Sequence, residues 1–261
     1  MHDIKRITQD QFGRNAEKYA RSAVFARGDS LDEMVRVTNP QPDWHVLDIA
    51  TGGGHCAFTF APSVARVVAT DITAPMLEAA GRVARERGLA NITFEYADAE
   101  SLPYPAGSFD LVTCRIAPHH FGDPGLAVRE MARVCKPGGL VAVIDGIVPA
   151  DRAVADEIDA WEIARDPSHV ALLTVNGWSA LFCAAKLDGV YLNTFNMALD
   201  FDQHMHRAGC DGEAAARLRH KLLHGSPGMQ DWLRPRIEGD RITFDWSQIL
   251  MVGRKQIAGW T

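Results

Sequence analysis

The feature that most constrains the fold is a rhythm that begins after "NPQPD" (Asn39–Asp43). Short runs rich in β-branched residues, HVLDI, RVVATDI, ITFEYAD, FDLVTCRI and LVAVIDGIV, alternate with the helical stretches TAPMLEAAGRVARERG and DPGLAVREMARVCKPGG. Strands that alternate with helices fold as crossover units and lie side by side in a parallel sheet. The runs are apolar along most of their length, as strands covered on both faces are. The second helical stretch closes on Lys136-Pro137-Gly138-Gly139, a helix stop that also opens the next strand.

Upstream, residues from about Ile7 to Val37 read as helix in two pieces, broken near "RGDS" (Arg27–Ser30). Beyond Pro149 the rhythm stops. ADRAVADEIDAWEIARD, SHVALLTVNGWSALFCAAKL, FDQHMHRAG and EAAARLRHKLLHG read as helices, while GVYLNTFNMAL and DRITFDWSQILMVGRK read as strands. The expectation is an α/β fold with a seven-stranded, mostly parallel sheet, an antiparallel edge strand and a helical cap insertion. Residues 1–40 would form a helical segment over the ligand site and 41–150 the binding core. Residues 151–261 would supply the cap and the last two strands, all within one domain.

The first strand-to-helix turn reads DIATGGG (Asp48–Gly54). In an open parallel sheet, ligands bind at the carboxyl ends of the strands beside that turn. Gly52, Gly54 and Ala57 satisfy the dinucleotide pattern G-x-G-x-x-G/A, which is weak evidence by itself. Asp71 ends the second strand, about 20 residues past the glycines, where a carboxylate takes up ribose hydroxyls. It indicates adenosine without separating the candidate cofactors. Asp48 separates them, because a carboxylate ahead of the glycines opposes a pyrophosphate and suits a cation. S-adenosylmethionine carries an ammonium and a sulfonium and no phosphate, and the charge logic favours it over a nicotinamide dinucleotide.

Composition removes other classes. The net charge of −6 comes without a basic cluster, which argues against a duplex nucleic-acid surface and leaves a small substrate pocket open. No apolar run approaches the roughly 20 residues of a membrane span. MHDIKRITQDQFGRNAEKYA lacks the apolar core of a signal peptide. Five scattered cysteines, none in a C-x-x-C, point to reduced thiols in a cytoplasm and to no structural metal.

Several segments in order, VLDIATGGG, VVATDIT, FEYADAESLPYPAGSFDLVTCRIAPHHF and MARVCKPGGLVAVID, resemble the successive motifs of class I S-adenosylmethionine-dependent methyltransferases. More narrowly they are similar to the type 11 group, relatives of the quinone-biosynthesis methyltransferases. The likeness runs from about Phe12 to Val148, with a weaker echo at WSQILMVGRK, and implies a Rossmann-like fold. It implies that Asp48 and the backbone at Ala50, Gly52 and Gly54 hold the methionine portion. Asp71 would bind the ribose and Ile72 would pack on the adenine. Asp98 would take the adenine amino group beside the Ala99 backbone, although Asp98 equally suits a cap on the following turn. Arg115 would present its carbonyl to the cofactor's ammonium. In FGRNAEKYARS, Tyr19 would cover the cofactor and Ser22 would touch its carboxylate, or Tyr19 is an ordinary core aromatic.

Methyl transfer needs an acceptor held in line, water excluded and sometimes a proton removed. CRIAPHHFGD places His119 and His120 after the fourth strand, on the rim that carries the glycines. Either could be a general base near neutral pH; since adjacent residues rarely face the same way, one is expected in the pocket. The quinone-methylating members carry an Arg-Asn pair just after the fourth strand, where this chain has Pro118-His119-His120, which weakens any transfer of their substrate. In the cap, Asp166 and His169 bracket a proline turn that could overhang the acceptor, or Ser168 there simply caps a helix. His204, Met205 and His206 read as core or surface. The expected activity is methylation of a small, partly hydrophobic organic molecule, with S-adenosylhomocysteine as product. A nicotinamide-dependent oxidoreductase and a cofactor-binding protein without methyl transfer are the alternatives.

Overall fold

The computed structural model describes residues 2–22 and 28–257. Helices α1 (His2–Ala20) and α2 (Asp29–Thr38) precede the sheet. The alternating region supplies β1 (His45–Ile49), α3 (His55–Phe60), β2 (Arg66–Asp71), α4 (Ala74–Glu86) and β3 (Ile92–Tyr96). It continues with β4 (Phe109–Arg115), α5 (Pro124–Val134) and β5 (Cys135–Gly146). Then come α6 (Arg152–Arg165), α7 (Val175–Ala184), β6 (Leu187–Asp200) and α8 (Phe201–Ala208). Helices α9 (Gly212–His224) and α10 (Pro227–Leu233) and strands β7 (Arg236–Glu238) and β8 (Arg241–Lys255) complete it.

The strands form one sheet in the order β3-β2-β1-β4-β5-β8-β6, with β7 paired to β8. Neighbours among β1 to β5 are parallel, and β8 runs antiparallel to both β5 and β6. The expected α/β architecture is thus present, with two additions to the sequence reading, the short strand β7 and helix α10. The antiparallel strand β8 enters second from the edge and β6 forms the rim.

Side chains alternate between two apolar layers, as a pleated strand requires. Leu47, Ile49, Val141, Val143, Ile249 and Met251 face Trp178 and Phe182 of α7 and the apolar side of α5. Val46, Ala142, Ile144, Leu250 and Val252 face Leu31 and Met34 of α2 and Phe60 of α3. Each fully buried large side chain contributes about 1.5–3 kcal/mol, and both faces of the central strands are filled.

The register of the last strands builds the cap. β5 stays paired with β8 only as far as Gly146 opposite Gln248, whereas β6 and β8 remain paired to Asp200 opposite Thr243. The two strands therefore project past the carboxyl ends of the parallel strands. A third apolar cluster gathers there from Trp161, Phe201, Met205, Leu222, Phe244 and Trp246.

One expectation needs correction. Residues 168–174 are not helical; helix α7 begins at Val175, where the Thr174 hydroxyl accepts from the Gly177 N–H at 3.0 Å. Asp166, ahead of Pro167, accepts the Ser168 N–H at 3.0 Å, and this turn leads into an irregular strap. The strap is tied down by Val170 N–H to the His119 carbonyl (2.8 Å) and Val148 N–H to the Leu173 carbonyl (3.2 Å). The break at Arg27–Ser30 falls partly outside the described residues, since Arg27 lies there and α2 starts at Asp29.

Candidate active site

The three glycines of the first turn have three different duties. Gly52 takes φ 54° and lies against the Met76 side chain, where a Cβ would sit 3.4 Å from its terminal carbon. At Gly53 a Cβ would lie 2.8 Å from the Ala20 Cα and the Tyr19 carbonyl oxygen, so the end of α1 rests directly on the turn. Gly54, at φ 84°, starts α3 with the Phe58 ring filling the space a side chain would need. Ala50 just ahead holds φ 50°, a left-handed conformation that costs a non-glycine residue about 1–3 kcal/mol.

Asp48 lies behind this turn and does not line the cavity in front of it, and neither does Gly54. Its two carboxylate oxygens accept the hydroxyls of Thr51 (2.6 Å) and Thr113 (2.7 Å), so it shapes the loop from beneath. Burial raises its pKa. The other residues assigned to a cofactor do converge on one cavity: Tyr19, Ala50, Gly52, Asp71, Ile72, Asp98, Ala99 and Arg115. Ser22 is not among its lining residues.

Asp71 accepts the N–H groups of Gly52 and Thr73, each at 2.9 Å. One carboxylate oxygen of Asp98 accepts the Glu100 N–H at 3.0 Å, the turn-capping geometry, and the other meets Lys5 Nζ of α1 at 2.6 Å. Lys5 also reaches Glu100 at 2.7 Å. Helix α1 therefore roofs the cavity, with Lys5, Thr8, Phe12 and Tyr19 facing inward. Burial pushes the Tyr19 hydroxyl up to about 12, with Arg165 pulling the other way.

Both adjacent histidines reach the cavity, against the expectation that one would. A 3-10 turn over Pro118–His120 brings their rings to 4.1 Å between centroids, with an interplanar angle of 47°. His119 Nδ1 lies 2.6 Å from a carboxylate oxygen of buried Asp145, at the end of β5. Burial drives His119 down to about 3 and Asp145 up to about 7, so each is pushed toward its neutral form. His120 Nδ1 lies 3.0 Å from the Ser168 carbonyl, and burial lowers its pKa as well. A carbonyl only accepts, so His120 carries its proton on Nδ1 and keeps Nε2 as a base. His169 also lines the cavity, its Nε2 2.7 Å from Asp159.

The far wall comes from the cap, whose residues carry little signal in sequence. Glu162 pairs with Arg165 at 2.7 Å, and Arg165 reaches Asp166 at 4.0 Å. Arg207 contacts His204 Nδ1 at 3.3 Å, and the His204 ring stacks on Trp161 at 6.0 Å. His204 is buried and also lines the cavity; burial lowers it to about 4, with Arg165 adding repulsion. Met205 is core and His206 is exposed, as the sequence reading has them. Met197, Leu199 and Trp246 add apolar surface from the projecting strands. A period-2 reading of β6 and β8 gives their faces, but only the register shows that these faces overhang β1 and β4. Among the described residues, no three His, Cys, Asp or Glu side chains converge as a metal site would.

A family profile described as "Methyltransferase domain" matches residues 46–139. The uncharacterized methyltransferase YcgJ of Bacillus subtilis is 35% identical over 94% of this chain and 98% of its own length. The chain belongs to the methyltransferase family. The crystal structure of YcgJ superposes with a TM-score of 0.82 at 33% identity, covering 88% of this chain and 99% of that one. A ubiquinone/menaquinone biosynthesis C-methyltransferase, UbiE of Bdellovibrio bacteriovorus, is 42% identical over 43% of this chain and 48% of its own. The [4+2]-cyclase SpnF shares the fold alone, with a TM-score of 0.60 at 20% identity over 87% of this chain and 80% of that one. With the family fixed, the enzyme is a methyltransferase, and the nicotinamide alternative falls away.

Proposed function

We propose that this methyltransferase moves the methyl group of S-adenosylmethionine to a small, partly hydrophobic organic molecule. The observation that carries the reading is one continuous cavity joining an adenosine-type half to a histidine-lined half under the cap. The residues at the first half fit the cofactor. Asp71 closes β2, and its carboxylate already takes the Gly52 N–H that a pyrophosphate would need. Acidic Asp71, Asp98 and Glu100 line the same end, which suits ribose hydroxyls and an adenine amino group and opposes phosphate. In this reading Ala50, Gly52 and the Arg115 carbonyl hold the methionine portion, and Ile72 and Ala99 face the adenine. Tyr19 and Phe12 close the roof.

The cofactor supplies an electrophilic methyl on sulfur; the chain must orient the acceptor, keep water out and take a proton. His119 and His120 stand where an acceptor hydroxyl or similarly acidic group would lie. With Asp145 ionised, His119 donates its Nδ1 proton to that carboxylate and presents Nε2 as the base. His169, held by Asp159, and the apolar surfaces of Met197, Leu199 and Trp246 would orient the acceptor.

The same reading puts the protein in the cytoplasm with no nucleic-acid partner. No described helix is long and apolar enough to cross a membrane, and the described cysteines are free. Calorimetric titration with S-adenosylmethionine, S-adenosylhomocysteine and NADPH in parallel tests it. Binding of the two sulfur compounds is expected, followed by formation of S-adenosylhomocysteine in an acceptor screen. Binding of NADPH alone would overturn it.

A further inference from the structure

His55 carries a ring nitrogen with no hydrogen-bond partner among the described residues. It follows Gly54 as the first residue of α3, is buried, and lines the cavity beside the glycine turn. Its Nε2 lies 3.0 Å from the Tyr19 carbonyl. A carbonyl oxygen only accepts, so Nε2 carries the proton, and in the neutral ring Nδ1 is a bare acceptor. Burial holds the ring's pKa below its ordinary value, and the nearby charges of Arg115 and Arg87 add repulsion, which keeps it neutral. Nδ1 is buried and has no hydrogen-bond partner among the described residues. Buried acceptors are rarely left so, and beside a cavity a bound molecule that supplies the donor is one explanation of such an exception.

We propose that His55 Nδ1 accepts a hydrogen bond from the α-ammonium of the cofactor's amino-acid portion. This rests on the S-adenosylmethionine reading and adds a side-chain contact to it. The adenosine portion belongs at Asp71 and Asp98, on β2 and beyond β3, so the amino-acid portion extends toward the turn and His55. An ammonium brings N–H donors; a carboxylate would set lone pair against lone pair. The guanidinium of Arg115, which lines the same end, offers the α-carboxylate its charge instead. Tyr19 thereby acquires a second duty: its backbone carbonyl fixes the tautomer that makes His55 an acceptor.

The test is calorimetry on the full chain, wild type against His55→Gln and His55→Asn. Three probes are used: S-adenosylhomocysteine, decarboxylated S-adenosylmethionine, which keeps the ammonium, and 5′-methylthioadenosine, which lacks the whole amino-acid portion. Gln can reach the Tyr19 carbonyl from the Nε2 position but leaves the Nδ1 position empty, whereas Asn places its amide oxygen near that position. His55→Gln should weaken the two ammonium-bearing ligands by about 10- to 100-fold, as loss of a hydrogen bond to a charged group does. It should leave 5′-methylthioadenosine within about twofold, and His55→Asn should recover part of the loss. Equal weakening of all three probes would make His55 a packing residue and overturn the proposal. No weakening of S-adenosylhomocysteine would overturn it too, and an unaffected decarboxylated ligand would move the contact to the carboxylate. A wild-type protein that binds none of the probes would sink the cofactor reading itself.

Discussion

Gly53→Ala tests whether α1 is seated on the glycine turn. Gly53 lies outside the left-handed region, so alanine suits its backbone and would by itself stabilise by about 0.4–1 kcal/mol. Against that, the new Cβ would sit 2.8 Å from both the Ala20 Cα and the Tyr19 carbonyl oxygen. Carbon contacts settle near 3.5–4.0 Å, so the last turn of α1 must retreat by about 1 Å. Ala20 is fully buried, and Tyr19 O is the 3.0 Å partner of His55; both contacts loosen together. Overpacking costs about 1–3 kcal/mol and the weakened hydrogen bond about 0.5–1.5 kcal/mol. The net loss after the backbone gain is roughly 0.5–4 kcal/mol. For a chain of this size that lowers the melting temperature by about 1–16 °C. Because Phe12 and Tyr19 roof the cavity, affinity for S-adenosylhomocysteine should fall by about tenfold, roughly 1.4 kcal/mol. Thermal unfolding and calorimetry read both. Gly88→Ala is the control: its Cβ would meet nothing within 4 Å, but φ is +68°, so it should lose stability without losing affinity. A Gly53→Ala protein that melts and binds like wild type would refute the seating of α1.

Other outcomes follow from the same geometry. Asp71→Ala frees the Gly52 and Thr73 amides as well as removing the ribose acceptor, and should weaken S-adenosylhomocysteine by about 10- to 100-fold; unchanged affinity in calorimetry would remove the ribose role. His120→Ala should lower turnover by about 10²- to 10⁴-fold while affinity for the cofactor changes little; equal turnover with a working acceptor would dismiss His120 as a base and leave that role to His119. The Asp145–His119 pair sheds a proton as pH rises through about 7, the value to which burial lifts Asp145. Below that pH the pair holds two protons with Asp145 protonated, and above it Nε2 of His119 is a competent base, so the transfer rate should rise with pH. Nitrogen NMR of the His119 ring should report the same transition in wild type and lose it in Asp145→Asn; a flat titration would exclude the pair.

The parallel core was legible because its signals are local: apolar runs, a helix stop at Lys136–Gly139 and a run of glycines between the first strand and its helix. Asp71 was legible for the same reason, since a strand end and a spacing define it. Asp48 was misplaced because sequence puts it beside the turn without saying which side its carboxylate takes; the hydroxyls of Thr51 and Thr113 draw it underneath. The pairing of His119 with His120 was missed because strand alternation does not apply inside a 3-10 turn. Glu162, Arg165, His204 and Arg207 lie on cap helices, where a charged residue near an apolar face looks like an ordinary helix. Only the overhang of β6 and β8, set by a register more than 50 residues apart in sequence (Asn196 to Ser247), turns those faces toward β4.

The strap at 166–173 explains why the cap belongs to the chemistry as well as to the shape. Ser168 offers the carbonyl that fixes the proton of His120, and Val170 N–H holds the backbone of His119. His169 is anchored in turn to Asp159 of α6, while Asp166 is gripped by the Ser168 amide and faces Arg165. The β4 rim supplies the histidines; Asp145 of β5 decides the tautomer of His119, and the cap decides that of His120. A protein with the same sheet and a different strap would keep the His119–Asp145 pair but would leave the proton of His120 undefined. The division is therefore physical: the alternating region builds a nucleotide site from backbone turns, and proton handling depends on whether the cap is seated on the rim.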